Sequence, residues 1–434
     1  MEIKLAYGRK GLTVNFPEGV EVIQPKFTAT LEDEENTLLN ALRSPIGSKP
    51  LNAIVRAGVK VVVVHSDITR ATPNRRILPI VLDELERAGV RRNDIILING
   101  LGTHRQQTEV EMHQLLGDEI VEHYLCLQHN CRDDQNLISL ENTFLGHPVR
   151  INRTYIEADV KILTGLIEPH FFAGFSGGPK AVLPALAGAE SVFSNHGYEM
   201  IVHPKATWGI TEGNPVWEEI YRVALKTSPD FLVNVTMNEL QGITGVFAGD
   251  MLAAHRAGCQ LVKETAMVPV KEAFDVVVTT NSGYPLDQSL YQSIKGISAA
   301  ARIVRPGGAI LMVAACEDGL PNHGMYADLL RQAGSPKKVL EMIATPGFNA
   351  QDQWQVQIQA QIQQNVDVYI YSDGLSESQI EAALFHSCSD IEQTLIKMSK
   401  TYGPRICVLP EGPQTIPYLI DASYSKPSMP LTMP

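Results

Sequence analysis

The segment Val160-Lys161-Ile162-Leu163-Thr164-Gly165-Leu166-Ile167-Glu168-Pro169-His170-Phe171-Phe172-Ala173-Gly174-Phe175-Ser176-Gly177-Gly178-Pro179-Lys180-Ala181-Val182-Leu183-Pro184 decides how this chain is read. Its apolar start, Val160 to Leu163, predicts a strand. An irregular loop with His170 and Lys180 follows at the strand's carboxyl end, where open α/β sheets place their ligands. Glycines at 174, 177, 178 and 188 allow close backbone approach or positive φ. A glycine turn with a lysine first reads as a phosphate loop, but that motif needs Ser or Thr after the lysine. Here Ala181 follows, and Pro179 removes a backbone donor, so a nucleotide triphosphatase is rejected. Lys180 is then a candidate covalent or charge partner for another group. Loop lysines are ordinarily solvated, but this one has two consecutive Phe nearby and no acid between Glu168 and Glu190.

Working outward, Val59 to His65 reads as a buried parallel strand that ends in Ser66-Asp67-Ile68-Thr69-Arg70-Ala71-Thr72-Pro73. Thr72 before Pro73 predicts an N-cap and first turn, and Ile77, Ile80, Val81 and Leu85 mark a helix that Gly89 stops. The N–H groups and dipole at that helix start suit an anion such as phosphate; an ordinary loop with a surface Asp–Arg pair is the alternative. The pattern recurs in the strand Ile95 to Asn99, its exit loop Gly100-Leu101-Gly102-Thr103-His104-Arg105, and a helix capped near Thr108. His104 and His170 thus both leave carboxyl ends of strands. His113, His123, His129 and His147 read as bystanders on helix surfaces or turns. In Ser194-Asn195-His196-Gly197, a metal role for His196 rests on its company and not on spacing.

Helices are expected over 215–226 and 250–264, with strands over 231–235 and 243–247 between them. Met267-Val268-Pro269-Val270 reads as a linker before a second strand-rich unit that begins at Phe274. In that unit Asp287 is expected to cap a helix on which Gln292 and Lys295 fall three apart. An amide and an ammonium on one face can grip a carboxylate; a solvated face is the alternative. Strands follow over 366–371 and 406–410. The Gln-rich span 351–364 keeps helical spacing through Trp354, Ile358 and Ile362. The tail from Tyr424 is expected to be loose.

Length and charge bound the rest. The 434 residues suffice for two domains, and a net charge of -12 argues against nucleic-acid or membrane surfaces. Cysteines at 126, 131, 259, 316, 388 and 407 form no CxxC pair, which fits reduced thiols in a cytoplasmic protein. There is no apolar leader near Met1 and no membrane-length apolar run. These residues describe a small-acid enzyme with a phosphate-bearing cofactor, in which two histidines can act as acid and base because imidazole titrates near about 6.5.

The combination resembles a known family, the nickel-pincer-nucleotide-dependent lactate racemases (2-hydroxyacid racemases). The resemblance is carried by Asp67-Ile68-Thr69-Arg70, Gly102-Thr103-His104-Arg105, Glu168-Pro169-His170 through Gly177-Gly178-Pro179-Lys180, Asn195-His196, Gly283-Tyr284-Pro285-Leu286-Asp287-Gln288, Tyr291-Gln292, Lys295-Gly296 and Trp354. It implies two α/β domains with largely parallel sheets, residues 1–268 and 269–434, and an active site in the interdomain cleft. It also implies a pyridinium-3-thioamide-5-thiocarboxylic acid mononucleotide attached to Lys180, whose pincer donors bind nickel together with His196. Asp67, Ile68, Thr69 and Arg70 would be the cofactor-binding loop, and His104 and His170 the alternating acid/base pair. Gln292, Lys295, Arg70, Tyr291 and Trp354 would contact substrate. The implied reaction is reversible hydride transfer from C2 of lactate through a bound 2-keto acid, and the implied partners include cofactor-maturation proteins. Tyr291, with no added Arg beside it, favours a short aliphatic acid over malate, a longer acid or a sugar acid. A cofactor- or ligand-binding protein without turnover is disfavoured by a base on each face. A zinc hydrolase is disfavoured by the absence of an HExxH motif.

Overall fold

The structure is a computed structural model that describes residues 1–321 and 324–420. The tail from Tyr424 lies outside the described residues. The chain forms two compact units, one of Lys26–Thr265 and one of Met1–Pro25 with Ala266–Pro434.

The Lys26–Thr265 unit is built on a six-stranded sheet in the order Ile243–Gly249, Phe231–Met237, Val160–Leu166, Val61–Ser66, Ile95–Gly100, Leu125–Gln128. Only the Ile243–Gly249 edge strand runs antiparallel to its neighbour. The central strands are Val and Ile rich without polar alternation, and Val61, Val62, Val63, Ile162, Leu163, Leu97 and Ile98 are all fully buried. A strand covered by helices on both faces demands that pattern. The helix Asn74–Arg87 supplies one cover, hiding Ile77, Leu78, Val81, Leu82 and Leu85. Because Val61–Ser66, Ile95–Gly100 and Val160–Leu166 are mutually parallel, the loops bearing Asp67, His104 and His170 leave the same edge of the sheet.

The other unit has a fully parallel six-stranded sheet, His386–Ser387, Asp367–Tyr371, Val304–Val313, Phe274–Thr280, Ile406–Leu409, Glu21–Val22. The expected grouping of residues 1–268 is corrected here. Glu21–Val22 pairs with Cys407 and Val408 as an edge strand. The hairpin Glu2–Leu5 and Leu12–Asn15 buries Ile3, Leu5 and Val14 against Val276, Val278 and Leu311. Burial of that apolar face, not chain proximity, assigns the first 25 residues to this unit.

The expected linker is likewise a strand, since Met267–Val270 pairs in parallel with Ile416–Leu419. Pro269 is tolerated because a two-stranded ribbon leaves its nitrogen side without a ladder partner to lose. Two caps also shift. Pro73 and not Thr72 precedes the helix Asn74–Arg87, and the Thr72 hydroxyl bonds Ser66 Oγ at 2.9 Å. Ser289 and not Asp287 caps the helix Leu290–Ala300, because Asp287 Oδ2 is already taken by the N–H groups of Gly8 and Ala315. Among the described residues no helix is long and apolar enough to cross a membrane, and all six cysteines are free thiols.

Candidate active site

The loop after Val61–Ser66 is folded by Asp67. Its Oδ1 accepts the Thr69 N–H at 3.2 Å and the Thr69 hydroxyl at 2.7 Å, and its backbone carbonyl accepts the Arg70 N–H at 3.2 Å. This tight turn directs the N-terminus of the helix Asn74–Arg87, with its positive dipole end, toward the loop. Asp67 Oδ2 stands 2.5 Å from His104 Nδ1. Burial pushes the Asp67 carboxyl up, but the neighbouring His104, Arg70 and the Thr69 hydroxyl outweigh it and hold the group at about 2. Asp67 is therefore an ionised, buried carboxylate, while the His104 ring is 38% exposed at its side chain.

The loop bearing His104 is tied to the loop bearing Lys180. Gly102, at φ +56°, donates its N–H to Ala185 O at 2.9 Å. Lys180 sits in the single turn Gly178–Ala181. Two partners fix that turn from behind: Asn234 Oδ1 accepts the Gly178 N–H at 2.7 Å, and the His255 ring packs against Gly178 Cα. His255 is buried, which holds its ring neutral with a pKa of about 4, and its Nε2–H reaches Ser176 O at 2.9 Å.

His170 lies in the short ribbon Pro169–His170 paired with Gly174–Phe175. His196 ends the helix Ala189–Asn195 and is buried. Burial first, and then the charge of Lys180, pushes the His196 pKa well below its ordinary value, so the ring is neutral and has a lone pair to offer. One ring organises these groups. Phe172 meets His170 edge-on at 4.5 Å and His196 edge-on at 4.9 Å between centroids, and Lys180 Nζ lies 5.7 Å from its centre. The Phe172 carbonyl is in turn held by Asn214 Nδ2 at 2.9 Å.

Two of the histidines read as bystanders on helix surfaces or turns have structural partners, and for His129 the surface placement is corrected. His129 is buried, with Nε2 donating to Ala187 O at 3.0 Å. His147 pairs with buried Glu219 at 2.8 Å, and Glu219 also takes a 2.8 Å hydrogen bond from Asn195, the residue before His196. Asn234, His255 and Glu219 were not singled out in the sequence. The available signal was an asparagine in the middle of an otherwise apolar strand, which folds only if its amide is satisfied.

Of the expected substrate contacts, Arg70 lies in the Lys26–Thr265 unit and the rest in the other. Tyr291, Gln292 and Lys295 are on Leu290–Ala300, with Gln292 in its first turn. Trp354, on Gln353–Gln363, donates its indole N–H to the Tyr291 hydroxyl at 3.3 Å, and Gln355 bonds the Tyr291 carbonyl.

Among the described residues no group of three or more His, Cys, Asp or Glu side chains is placed to hold a metal. His196 offers one imidazole alone, so a metal held there would have to draw its other donors from a bound group.

Two family models match the chain, the lactate racemase N-terminal domain over residues 7–209 and the lactate racemase C-terminal domain over residues 270–416. A lactate racemase from Thermoanaerobacterium thermosaccharolyticum is 34% identical over 423 residues, covering 95% of this chain and 98% of the relative. One from Lactiplantibacillus plantarum is 34% identical over 418 residues, covering 94% and 98%. The solved lactate racemase apoprotein from T. thermosaccharolyticum superposes with a TM-score of 0.90 at 32% identity, covering 96% of this chain and 100% of that one. A Thermotoga maritima protein at 19% identity shares the fold with a TM-score of 0.69, covering 91% and 100%. With both domain models matched and relatives aligned over nearly the full length, the chain belongs to the lactate racemase family.

Proposed function

We propose that this chain is an isomerase that interconverts D- and L-lactate, or a similarly short 2-hydroxy acid, with a nickel-pincer pyridinium mononucleotide anchored on Lys180. The observation that carries the reading is the grouping of His170, His196 and Lys180 around the Phe172 ring. The residues fit the group chemically. Neutral, buried His196 would offer one imidazole donor to nickel, and the nucleotide would supply the sulfur and carbon donors. Lys180 brings an amine to an aromatic, acid-poor wall, which suits a covalent anchor. When bound, the group supplies a reversible acceptor for the hydride on C2.

The chain's own residues do the rest. The Asp67–Arg70 turn and the helix start behind it take the nucleotide phosphate. His104, with its Nδ1–H given to Asp67, turns Nε2 to the substrate hydroxyl, while His170 serves the other flank. Gln292 and Lys295 grip the carboxylate, and Lys295 with Arg70 balances negative charge on the keto acid. Tyr291 and Trp354, joined by their hydrogen bond, favour a short aliphatic substrate. Loading of the nucleotide makes maturation proteins the expected partners.

Chiral chromatography of lactate, run beside intact-mass and elemental analysis, tests this. The loaded chain should racemise either enantiomer, Lys180→Ala should lose the adduct, and His196→Ala should lose nickel while keeping the adduct. An adduct that survives Lys180→Ala, or a chain carrying adduct and nickel that converts neither enantiomer, overturns the reading.

A further inference from the structure

The two histidines assigned to the substrate's flanks are held by hydrogen bonds of opposite sense. At His104, Nδ1 lies 2.5 Å from Asp67 Oδ2. Asp67 is ionised, and a carboxylate only accepts. In the neutral ring the proton therefore sits on Nδ1, and Nε2 keeps the lone pair. At His170 the neighbours of Nδ1 are backbone amides, Ala173 N at 3.2 Å and Phe172 N at 3.5 Å. A backbone N–H only donates. Here Nδ1 keeps the lone pair, and the proton of the neutral ring sits on Nε2.

The turn that presents those amides is pinned. Phe175 donates its N–H to Ala173 O at 3.0 Å, Asn214 holds Phe172 O, and the ribbon register sets His170 opposite Gly174. The His170 ring itself is buried and packs beside Phe171, at 5.1 Å, and Phe172, at 4.5 Å between centroids. His170, Phe172 and Ala173 are all buried, so the amides are held beside the ring.

We propose that the resting protein holds its two histidines in opposite tautomers, His104 as a base and His170 as a neutral hydrogen-bond donor. In this arrangement Asp67 is the positioning residue for the first and the Ala173 amide sets the second. The inference rests on the reading of both rings as substrate-facing groups. It goes beyond that reading because it makes the pair inequivalent. His104 accepts a proton on Nε2 without any rearrangement, and the resulting imidazolium keeps its bond to Asp67. His170 presents Nε2–H to a substrate oxygen and polarises it, as a neutral imidazole donor does. Acceptance of a proton by His170 puts an N–H on Nδ1 against the Ala173 N–H, so it requires the ring to turn or residues 171–173 to shift.

Long-range 1H–15N correlation spectra of the full-length, histidine-labelled chain test this at mildly alkaline pH, where ordinary histidines are neutral. His104→Gln and His170→Gln assign the signals by loss of one set each. The expected result is an Nδ1–H pattern for His104 and an Nε2–H pattern for His170. The same tautomer in both rings, or an averaged pattern at His170, overturns the proposal. Asp67→Asn, which keeps size but removes the charge, should turn the single His104 pattern into an average of two and leave His170 unchanged. A His104 signal indifferent to that change overturns the role given to Asp67. The wild-type spectrum decides the tautomers whether or not the variant folds. It is read without turnover, so its outcome is separate from that of the lactate assay.

Discussion

Gly178→Ala should be among the most damaging single-methyl additions in the Lys26–Thr265 unit, and the structure says why. The backbone at 178 has φ +53°, and an added Cβ would stand 2.5 Å from His255 Cδ2, 2.6 Å from Cγ and 3.0 Å from Nε2. The ring has no retreat. It is buried, bonded through Nε2 to Ser176 O at 2.9 Å, stacked on Trp217 at 6.5 Å between centroids, and backed by Cys259 Sγ at 3.5 Å. A left-handed backbone costs an alanine about 1–2 kcal/mol, and overpacking adds about 1–3 kcal/mol, so the expected loss is about 2–5 kcal/mol. His255→Ala is itself destabilising, since it opens a cavity and orphans the Ser176 carbonyl. In that background, however, the new methyl enters the vacated space, and the cost of Gly178→Ala should fall to about 1–2 kcal/mol. The coupling between the two changes is therefore about 1–3 kcal/mol. Urea unfolding followed by tryptophan fluorescence measures it in a Trp354→Phe background, where the remaining Trp208 and Trp217 both report on this unit. Equal losses for Gly178→Ala with and without the His255 ring would refute the argument.

Other consequences are open to direct measurement. Asn234→Ala removes the acceptor for the buried Gly178 N–H and should cost about 1–3 kcal/mol, with faster hydrogen exchange at that amide; unchanged protection would show that Asn234 does not hold the turn. Thr108→Ala breaks the capping box with Glu111 at the start of Glu109–Leu116 and should cost about 0.5–2 kcal/mol by urea unfolding. The His147–Glu219 pair predicts a pH signature. Its hydrogen bond to Glu219 raises His147 above its ordinary 6.5 against the opposing effect of burial. Glu219 is pushed up by burial, but its bonds to His147, Thr143 and Asn195 bring it below 4.5. The raised histidine contributes stability that is complete below 6.5 and fades as pH rises through its folded value. The lowered glutamate contributes stability that is complete above 4.5 and fades as pH falls through its folded value. The stability advantage of wild type over His147→Gln should thus be greatest between pH 4.5 and 6.5 and shrink on either side; a difference that does not shrink either above 6.5 or below 4.5 would contradict the pairing.

What the sequence made legible were features with local causes. Val61–Ser66, Ile95–Gly100 and Val160–Leu166 announce themselves because a strand covered on both faces has no polar alternation. Once they are known to be parallel, the placement of Asp67, His104 and His170 at one sheet edge follows from topology. Features set by distant partners left no such mark. Glu21 pairs with Cys407, across most of the chain, and nothing near residue 21 signals it. Asp287 and Ser289 are equally good caps on paper, and the choice falls to Ser289 only because the amides of Gly8 and Ala315 occupy Asp287. His147 looks like any loop histidine until Glu219 is brought against it, and the Gly178 turn looks merely flexible until Asn234 and His255 close in behind it.

An enzyme acting on both hands of one acid invites the expectation of two matching bases, but thermodynamics does not ask for it. Mirror-image acids have equal free energies in water, so the equilibrium constant between them is unity and kcat/KM is the same for both directions whatever the site contains. Since kcat/KM reports the transition state relative to free enzyme and free substrate, and that transition state is shared, asymmetry can only redistribute the bound states. If His104 and His170 take the roles proposed for them, a carboxylate behind the first and backbone amides behind the second would therefore leave net turnover unbiased. Their trace lies in kcat and KM taken separately, which should differ between the enantiomers by one common factor. Two interchangeable bases have no reason to produce that paired displacement, whereas one ready base and one ring that must first give up an amide do.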